Sequence, residues 1–315
     1  MRGFRQPYNR KRQPPKPKVT EVKITDDYKE IVRKSAYLGK KGYTIPKSVI
    51  SKEDEEILRD ELYVKPFVFG ANQNTDVGAF HVFRENANKF YIPRFYGIKR
   101  YGLPDKSEIE AGDDIDVEFT QTVRDYQDKI INVYMNYINT PICCGYDING
   151  NGGILEVPCG RGKTVMSLKI ISDIKKKTLI IVHKEFLMNQ WIERINEFLP
   201  TAKVGKIQGK VFDIEGKDIV IGMLQTLYDK DFGANAFTSF GLTIIDEVHR
   251  IGSEQFSKTL FKTVTPYMLG ISATVDRKDK LTKVLYMYIG DKIYTEERKD
   301  DDVVCVRAIN YTSRD

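Results

Sequence analysis

The sequence predicts an α/β protein whose main domain is a parallel sheet wrapped by helices. A small α+β domain and a basic arm without regular structure are predicted to precede it. In the second half of the chain, short apolar runs suited to buried strands alternate with amphipathic helical segments. A glycine-rich turn joins one such strand to a helix, and an acidic pair follows another. Parallel strands bring their carboxyl ends to one edge of a sheet, so we expect a ligand site there.

The glycine-rich turn lies in LEVPCGRGKT, residues 155–164. The flanking residues predict a strand over 153–157 and a helix over 163–174. Glycines in such a turn let backbone N–H groups point inward around phosphate, and the helix N-terminus adds partial positive charge. Lys163 is expected to reach the outer phosphates and Thr164 to bind Mg²⁺. The other residues predicted to surround the phosphates are Pro158, Cys159, Gly160, Arg161 and Gly162. A chance strand–turn–helix is the alternative.

The acidic pair follows the apolar run at 242–245, which predicts a buried parallel strand. Asp246 is expected to hold the Mg²⁺ water shell, and Glu247 to orient or deprotonate the attacking water. A solvated acidic pair after a strand is the alternative. His249, taken alone, is more typical of a surface or core histidine.

The remaining periodicity completes the alternation of strand and helix. Further predicted elements are strands at 179–182, 219–222 and 267–271, and helices at 185–199 and 253–263. Trp191 shares a helical face with Leu187, Ile195 and Leu199, which favours core packing over base stacking.

Residues 26–111 predict a separate small domain. Ser51 is expected to cap a helix, and a hairpin is predicted from strands at 80–85 and 89–95, with Pro93 making the second an edge strand. The segment is rich in Phe and Tyr interleaved with Arg and Lys, so its rings either fill the core or stack on bases. The aromatic residues are Phe67, Phe69, Phe80, Phe83, Phe90, Tyr91, Phe95, Tyr96 and Tyr101.

Charge is concentrated at the N-terminus. The 315-residue chain has a net charge of +6, but residues 1–20 carry seven basic side chains and no acidic one. Four prolines in the same stretch oppose regular structure. Such an arm attracts nucleic acid phosphate or serves for localisation, and a solubilising tail is the alternative. The four cysteines have no C-x-x-C spacing, and no apolar run is long enough for a membrane helix, so an intracellular protein is expected.

The blocks together resemble those of superfamily 2 helicases. PCGRGKT at 158–164, DEVH at 246–249 and SAT at 272–274 most resemble the XPB-type group, which includes transcript-release helicases of large DNA viruses. The resemblance implies a RecA-like first lobe that uses ATP and Mg²⁺. Two positions depart from the pattern: Val157 stands where the phosphate loop often has glycine, and Val275 where proline often follows SAT.

The resemblance also implies roles for single residues. In RDYQ at 124–127, Gln127 would read the adenine edge, with Arg124 close by. His249 would couple the nucleotide site to Ser272 and Thr274, and so to the strand-binding face.

Loops at the same edge of the sheet are expected to bind nucleic acid through phosphates and sugars, largely independently of sequence. The residues predicted for this contact are His183, Lys184, Gly205, Gln225 and Thr226. An ordinary loop position is the alternative for each.

The predicted organisation is an arm at 1–25, the small domain at 26–111, the RecA-like lobe at 112–285 and a linker at 286–315. No residues after 277 resemble the Q-x-x-G-R-x-x-R block of a second lobe, so we expect the N-terminal part of a longer motor. The favoured function is an ATP-dependent DNA helicase or translocase in viral transcription, repair or replication. RNA is a second possible substrate, transcription or repair machinery a possible partner, and host nucleus, viral factory or virion the expected location. A non-catalytic nucleic-acid clamp and an unrelated phosphate-loop enzyme such as a kinase are the alternatives.

Overall fold

The computed structural model describes residues 24–66, 78–140, 151–233, 235–248, 254–276 and 281–296. Several predictions fall outside these ranges: those for His249, for Phe67 and Phe69, for the basic arm before residue 24, and for the linker after residue 296. Among the described helices, none has both the length and the apolar character needed to cross a membrane.

The first part of the chain is a small mixed sheet with three α-helices. Its elements are α1 (Asp26–Ser35), β1 (Tyr37–Gly39), β2 (Gly42–Pro46), a 3-10 turn (Lys47–Val49), α2 (Lys52–Glu61), β3 (Tyr63–Val64), β4 (Phe80–His81), β5 (Arg84–Glu85), β6 (Lys89–Ile92), α3 (Arg94–Tyr101) and β7 (Lys106–Ser107). Five strands have the order β5-β6-β2-β1-β7, and β3 and β4 form a separate two-stranded sheet among the described residues. The predicted cap of α2 is confirmed, because the Ser51 hydroxyl accepts the backbone N–H of Asp54 at 3.1 Å.

The prediction that Pro93 makes its strand an edge strand is wrong. Strand β6 lies between β5 and β2, and it ends at Ile92. Pro93 instead directly precedes α3. Its fixed φ suits the entry into a helix, and its missing N–H removes no sheet hydrogen bond there.

Most aromatic rings of this part fill its core and do not face solvent. The buried ones are Phe80, Phe90, Phe95 and Tyr101, with Phe83, Tyr91 and Tyr96 packed partly buried against them. The core-filling alternative therefore describes this segment better than a row of exposed stacking rings.

The rest of the chain forms an eight-stranded sheet with helices on both faces. Its elements are α4 (Asp125–Asn139), β8 (Gly152–Glu156), α5 (Lys163–Ile174), β9 (Thr178–Val182), α6 (Glu185–Phe198), β10 (Val204–Gln208), β11 (Val211–Phe212), β12 (Ile219–Met223), α7 (Leu224–Asp229), β13 (Leu242–Asp246), α8 (Glu254–Leu260), β14 (Tyr267–Ser272), α9 (Thr282–Ile289) and β15 (Lys292–Thr295). The order is β11-β10-β12-β9-β13-β14-β8-β15. Every neighbouring pair is parallel except β10 with β11. This is the predicted RecA-like architecture.

One boundary differs from the predicted organisation. Residues 286–296 were predicted as linker, but α9 continues to Ile289 and β15 pairs with β8 in the sheet. The acidic segment at 112–116 lies against the sheet domain, since Ile115 is buried and its N–H donates to the carbonyl of Lys175 at 3.0 Å.

The small domain shares its core with one face of the large sheet. One buried cluster joins Phe90 and Phe95 to Ile154 and Leu179, whereas alternate strand residues such as Leu155 and Ile180 belong to the cluster on the opposite face. This is the alternation expected of a sheet covered on both sides.

Candidate nucleotide site and strand-binding edge

The phosphate loop leads from β8 into α5 through two glycines in the left-handed conformation. Gly160 has a φ of 83° and Gly162 a φ of 79°, where a side chain is strained. A Cβ at Gly162 would also lie 2.3 Å from Nε2 of Gln127. Gly162 is the cap residue of α5 and provides no side-chain cap. The first N–H groups of that helix are therefore available to a phosphate.

Val157, where the motif often has glycine, continues the strand into the core. It is fully buried, and its N–H donates to the carbonyl of Ser272 at 2.8 Å. A glycine is unnecessary here, because this residue lies before the turn and packs like a strand residue.

The structure brings Lys163 to the acidic pair. Its ammonium lies 3.5 Å from Oε1 of Glu247 and 3.9 Å from Sγ of Cys159. Thr164 is the second residue of the same helix and is partly exposed. Two blocks that are distant in sequence therefore meet at the carboxyl edge of the sheet.

Asp246 and Glu247 differ in environment. Asp246, the last residue of β13, is 8% exposed, and its Oδ2 accepts the indole N–H of Trp191 at 2.9 Å. Burial raises the pKa of Asp246, while the hydrogen bond from Trp191 and the charge of Lys163 oppose this rise. Glu247 has a φ of 55°, an uncommon conformation for a residue with a side chain, and its N–H donates to the carbonyl of Ile271.

The SAT loop is tied to the strand before the phosphate loop. The Ser272 hydroxyl donates to the carbonyl of Thr274 at 2.7 Å. The N–H of Val275 donates to Oε1 of Glu156 at 2.7 Å, and Oε2 of Glu156 accepts from Nζ of Lys292 at 2.8 Å. Sequence reasoning missed Glu156, because a glutamate at a strand end gives no signal of what it will contact. The coupling through His249 stays a prediction.

Gln127 holds the phosphate loop from the side. Its Oε1 accepts the N–H of Arg124 at 2.9 Å, and its Nε2 donates to the carbonyl of Arg161 at 3.1 Å. Tyr126 donates to the same carbonyl at 3.2 Å. Contact with an adenine edge stays a prediction, and the second N–H and second lone pair of the Gln127 amide would be the groups to make it. Arg124, predicted to lie near the nucleotide, is exposed beside Tyr126.

Arg161 connects the phosphate loop to the last described strand. Its guanidinium lies over the ring of Tyr126, 4.5 Å from the ring centre, and forms an ion pair with Glu296. Glu296 directly follows β15, and its N–H donates to the carbonyl of Glu156 at 2.9 Å.

The predicted strand-binding residues only partly share one edge. His183 and Lys184 follow β9, while Gln225 and Thr226 lie in the first turn of α7 after β12, the neighbouring strand. Gly205, predicted to lie in a loop, is instead buried inside β10, where a Cβ would lie 2.2 Å from the carbonyl oxygen of Asp213. The sequence did not predict β10 as a strand, because its residues alternate in burial and form no continuous apolar run.

The true turn after β10 is closed by side chains from its neighbours. The N–H of Gly209 donates to the hydroxyl of Thr226 at 3.0 Å, and Nε2 of Gln208 donates to Oε1 of Glu185 at 3.0 Å. Phe186, which no sequence motif indicates as functional, is 54% exposed on this edge, with the ammonium of Lys184 5.7 Å from its ring centre.

The residues present fit a magnesium-bound nucleotide. The site offers a helix N-terminus, the Lys163 ammonium, the Thr164 hydroxyl and the buried Asp246 carboxylate. The described residues contain no cluster of three or more metal-ligating side chains. Proteins hold Mg²⁺ through one or two side chains together with phosphates and water, and Thr164 and Asp246 are the two that this site would supply.

The parallel sheet, the glycine loop and the acidic pair at its carboxyl edge define a phosphate-loop protein with the RecA-like fold. Residues 120–277, about half of the chain, match the family model described as "Type III restriction enzyme, res subunit". The chain belongs to this family.

Two relatives and one solved structure are also similar to this chain. The chain is 33% identical over 276 residues to "Putative ATP-dependent RNA helicase L396" of Acanthamoeba polyphaga mimivirus, covering 86% of this chain and 51% of that protein. It is 29% identical over 208 residues to "DNA 3'-5' translocase XPB2" of Sulfurisphaera tokodaii, covering 64% and 43%. The chain therefore spans about half the length of these relatives. The UvsW helicase of bacteriophage T4 has the same fold, with a TM-score of 0.53 at 15% identity over 78% of this chain and 94% of that one.

Proposed function

We propose that the chain is the nucleotide-binding lobe of an ATP-dependent helicase or translocase. The observation that carries this proposal is the meeting of Lys163 with Glu247, 3.5 Å apart, beside the two left-handed glycines. A lysine from a phosphate loop and a carboxylate at the end of a second parallel strand form the minimal apparatus for transferring a terminal phosphoryl group to water. Membership of the family and the names of the relatives support the same reading.

Each residue has a distinct task in this proposal. The N–H groups at the start of α5 and the Lys163 ammonium bind the phosphates and offset the charge that develops on them. Glu247 orients the attacking water and accepts its proton. Thr164 and Asp246 would hold Mg²⁺, which would neutralise phosphate charge when bound. The ion pair between Lys163 and Glu247 must weaken when a phosphate group binds to the Lys163 ammonium.

Nucleic acid is the proposed track, bound at the edge formed by Lys184, Gln225 and the turn at Gly209. Backbone N–H groups and small polar side chains at such an edge bind phosphates and sugars, so sequence preference is expected to be weak. We propose DNA as the substrate. RNA is the other candidate, since one relative is named for RNA and the other for DNA.

We propose an intracellular viral setting in transcription, repair or replication, because the mimivirus relative aligns with most of this chain. We also propose that the whole protein closes a second lobe over the nucleotide, as helicases of the resembling group do. Both relatives extend well beyond the matched part.

The test is steady-state ATP hydrolysis by the full-length product without nucleic acid and with single-stranded DNA, double-stranded DNA or single-stranded RNA. We expect hydrolysis that DNA stimulates severalfold and that requires Mg²⁺. Nucleic acid binding without any ATP turnover would favour the alternative function, a non-catalytic nucleic-acid clamp. Turnover indifferent to every nucleic acid would refute the proposed helicase or translocase function. Stronger stimulation by RNA would correct the substrate alone.

A further inference from the structure

Trp191 connects the helix after the strand-binding loop to the acidic pair of the nucleotide site. It lies on α6, which begins just after Lys184, and it is 2% exposed. Its indole N–H donates to Oδ2 of Asp246 at 2.9 Å, and both groups are buried. Trp191 is the single tryptophan of the chain.

Core packing explains why the ring of Trp191 is buried, but it does not explain why the indole N–H is directed at a carboxylate. Met188, Ile195 and Leu199 pack in the same cluster as Trp191 without carrying a hydrogen-bond donor. A buried indole N–H needs an acceptor, and here the acceptor is an ionisable carboxylate at a strand end. Hydrogen bonds to charged groups are stronger than neutral ones, so this contact restricts the rotamer of Asp246.

We propose that Trp191 is a positioning residue, which holds the Asp246 carboxylate in the orientation that a magnesium-bound nucleotide requires. This inference rests on the proposed function, because it takes Asp246 as the carboxylate that meets the metal. One oxygen of Asp246 is committed to the indole, so the carboxylate cannot rotate freely in its buried place. Magnesium-bound nucleotide therefore meets a carboxylate that is already oriented, and binding loses less conformational freedom.

The first experiment uses Trp191 as its own reporter in the 315-residue chain. Indole fluorescence depends on the charge next to its N–H, so Asp246→Asn should change the emission of Trp191 without nucleotide. Asn132→Asp, an exposed charge change on α4, is the control that should leave the emission unchanged. An Asp246→Asn spectrum identical to the parent's would overturn the proposal, because the carboxylate would then not be engaged by the indole.

The second experiment measures the Mg²⁺ dependence of nucleotide binding with a fluorescent ADP analogue. Trp191→Phe keeps an aromatic ring and removes the donor. It should raise the Mg²⁺ concentration for half-maximal binding about tenfold or more, as expected for one hydrogen bond to a charged group. Binding without Mg²⁺ should change little. Ile195→Val, one turn later on the same buried face, should lower the melting temperature without changing the Mg²⁺ dependence.

The outcomes separate the inference from the proposed function. An equal Mg²⁺ dependence in Trp191→Phe and Ile195→Val would overturn the positioning role while leaving the nucleotide site intact. A parent chain that binds no nucleotide at any Mg²⁺ concentration would overturn the proposed function, and the positioning role with it. If Trp191→Phe fails to fold, the emission of Asp246→Asn, which retains the tryptophan, decides the point.

Discussion

The carboxylate of Glu156 accepts the backbone N–H of Val275 at 2.7 Å. Glu156 ends the strand before the phosphate loop, and Val275 follows the SAT loop, so this hydrogen bond joins two loops of the candidate site. Proline often occupies the position of Val275 in the helicases that the chain resembles, and proline has no N–H to donate. Valine in place of proline at position 275 therefore provides the N–H that the Glu156 carboxylate accepts.

Val275→Pro should lower the free energy of unfolding by about 1 to 2 kcal/mol. The change removes a hydrogen bond to a charged group, and the stiffer unfolded chain offsets part of that loss. Urea unfolding of the parent, Val275→Pro, Glu156→Ala and the double variant measures it. In the Glu156→Ala background, Val275→Pro should cost clearly less. Equal costs in both backgrounds would show that the two residues are not coupled.

Lys163→Ala should abolish ATP hydrolysis by the full-length protein and change the free energy of unfolding by no more than about 1 kcal/mol. Its ammonium contributes charge to the phosphate site, whereas its partly exposed ion pair with Glu247 contributes little stability. Lys169→Ala, on the same helix but paired with Asp173 at the surface, is the matched control and should keep its activity. Undiminished hydrolysis in Lys163→Ala would refute the phosphate-loop assignment.

Glu247→Gln should leave magnesium-dependent ATP binding intact and slow turnover by about a hundredfold or more, the scale of losing a positioned proton acceptor. The amide keeps the size of the side chain and the left-handed backbone, so the loop should not move. Single-turnover hydrolysis, compared with equilibrium binding on the same preparation, separates the two effects. Near-normal turnover would transfer the role of general base to another residue.

The small domain should show a specific loss of stability in acid. Hydrogen bonds from Arg59 and Lys47 lower the pKa of Glu85 from 4.5 to about 2. A carboxyl with a depressed folded-state pKa stabilises the fold above its unfolded pKa, and this contribution is lost as pH falls from about 4.5 towards 2. Glu85→Gln should therefore destabilise the protein at pH 6 and much less at pH 3, as measured by urea unfolding at both values. An equal difference at both pH values would assign the loss to packing instead.

Strands and helices were predictable where the strand is a continuous apolar run and where the helix has regularly spaced apolar residues. The predicted helix at 163–174 has the same bounds as α5, and the predicted strand at 242–245 forms most of β13. Half-buried strands were harder: β10 alternates buried and exposed residues and was read as a loop, which misplaced Gly205. Such a pattern identifies a strand only once the partner strand is known.

The site could be predicted in its residue types but not in its internal contacts. The blocks placed Lys163 and Glu247 at one edge, because parallel strands and a phosphate loop leave few other arrangements. The directions of the Glu156, Trp191 and Asp246 side chains decide whether Glu156 accepts the Val275 N–H and Asp246 accepts the Trp191 indole N–H. No local pattern encodes those directions, because they arise only when the sheet assembles.

DNA binding by the 315-residue chain should depend steeply on salt. Binding dominated by phosphate contacts weakens steeply with salt, because neutralised phosphates release counterions. Lys184→Ala should reduce the slope of log affinity against log salt by about one, as for the loss of one phosphate contact. Lys34→Ala, an equal loss of charge on α1 where Lys34 pairs with Glu30, should leave the slope unchanged.

Deleting residues 1–20, which carry seven basic side chains, should flatten the dependence further. Titration of a labelled single-stranded oligonucleotide at several salt concentrations gives all four slopes. If the deletion leaves the slope unchanged while Lys184→Ala reduces it, the arm does not contact DNA and the edge of the sheet does. If both leave it unchanged, DNA binds elsewhere on the protein, and the proposed strand-binding edge is wrong.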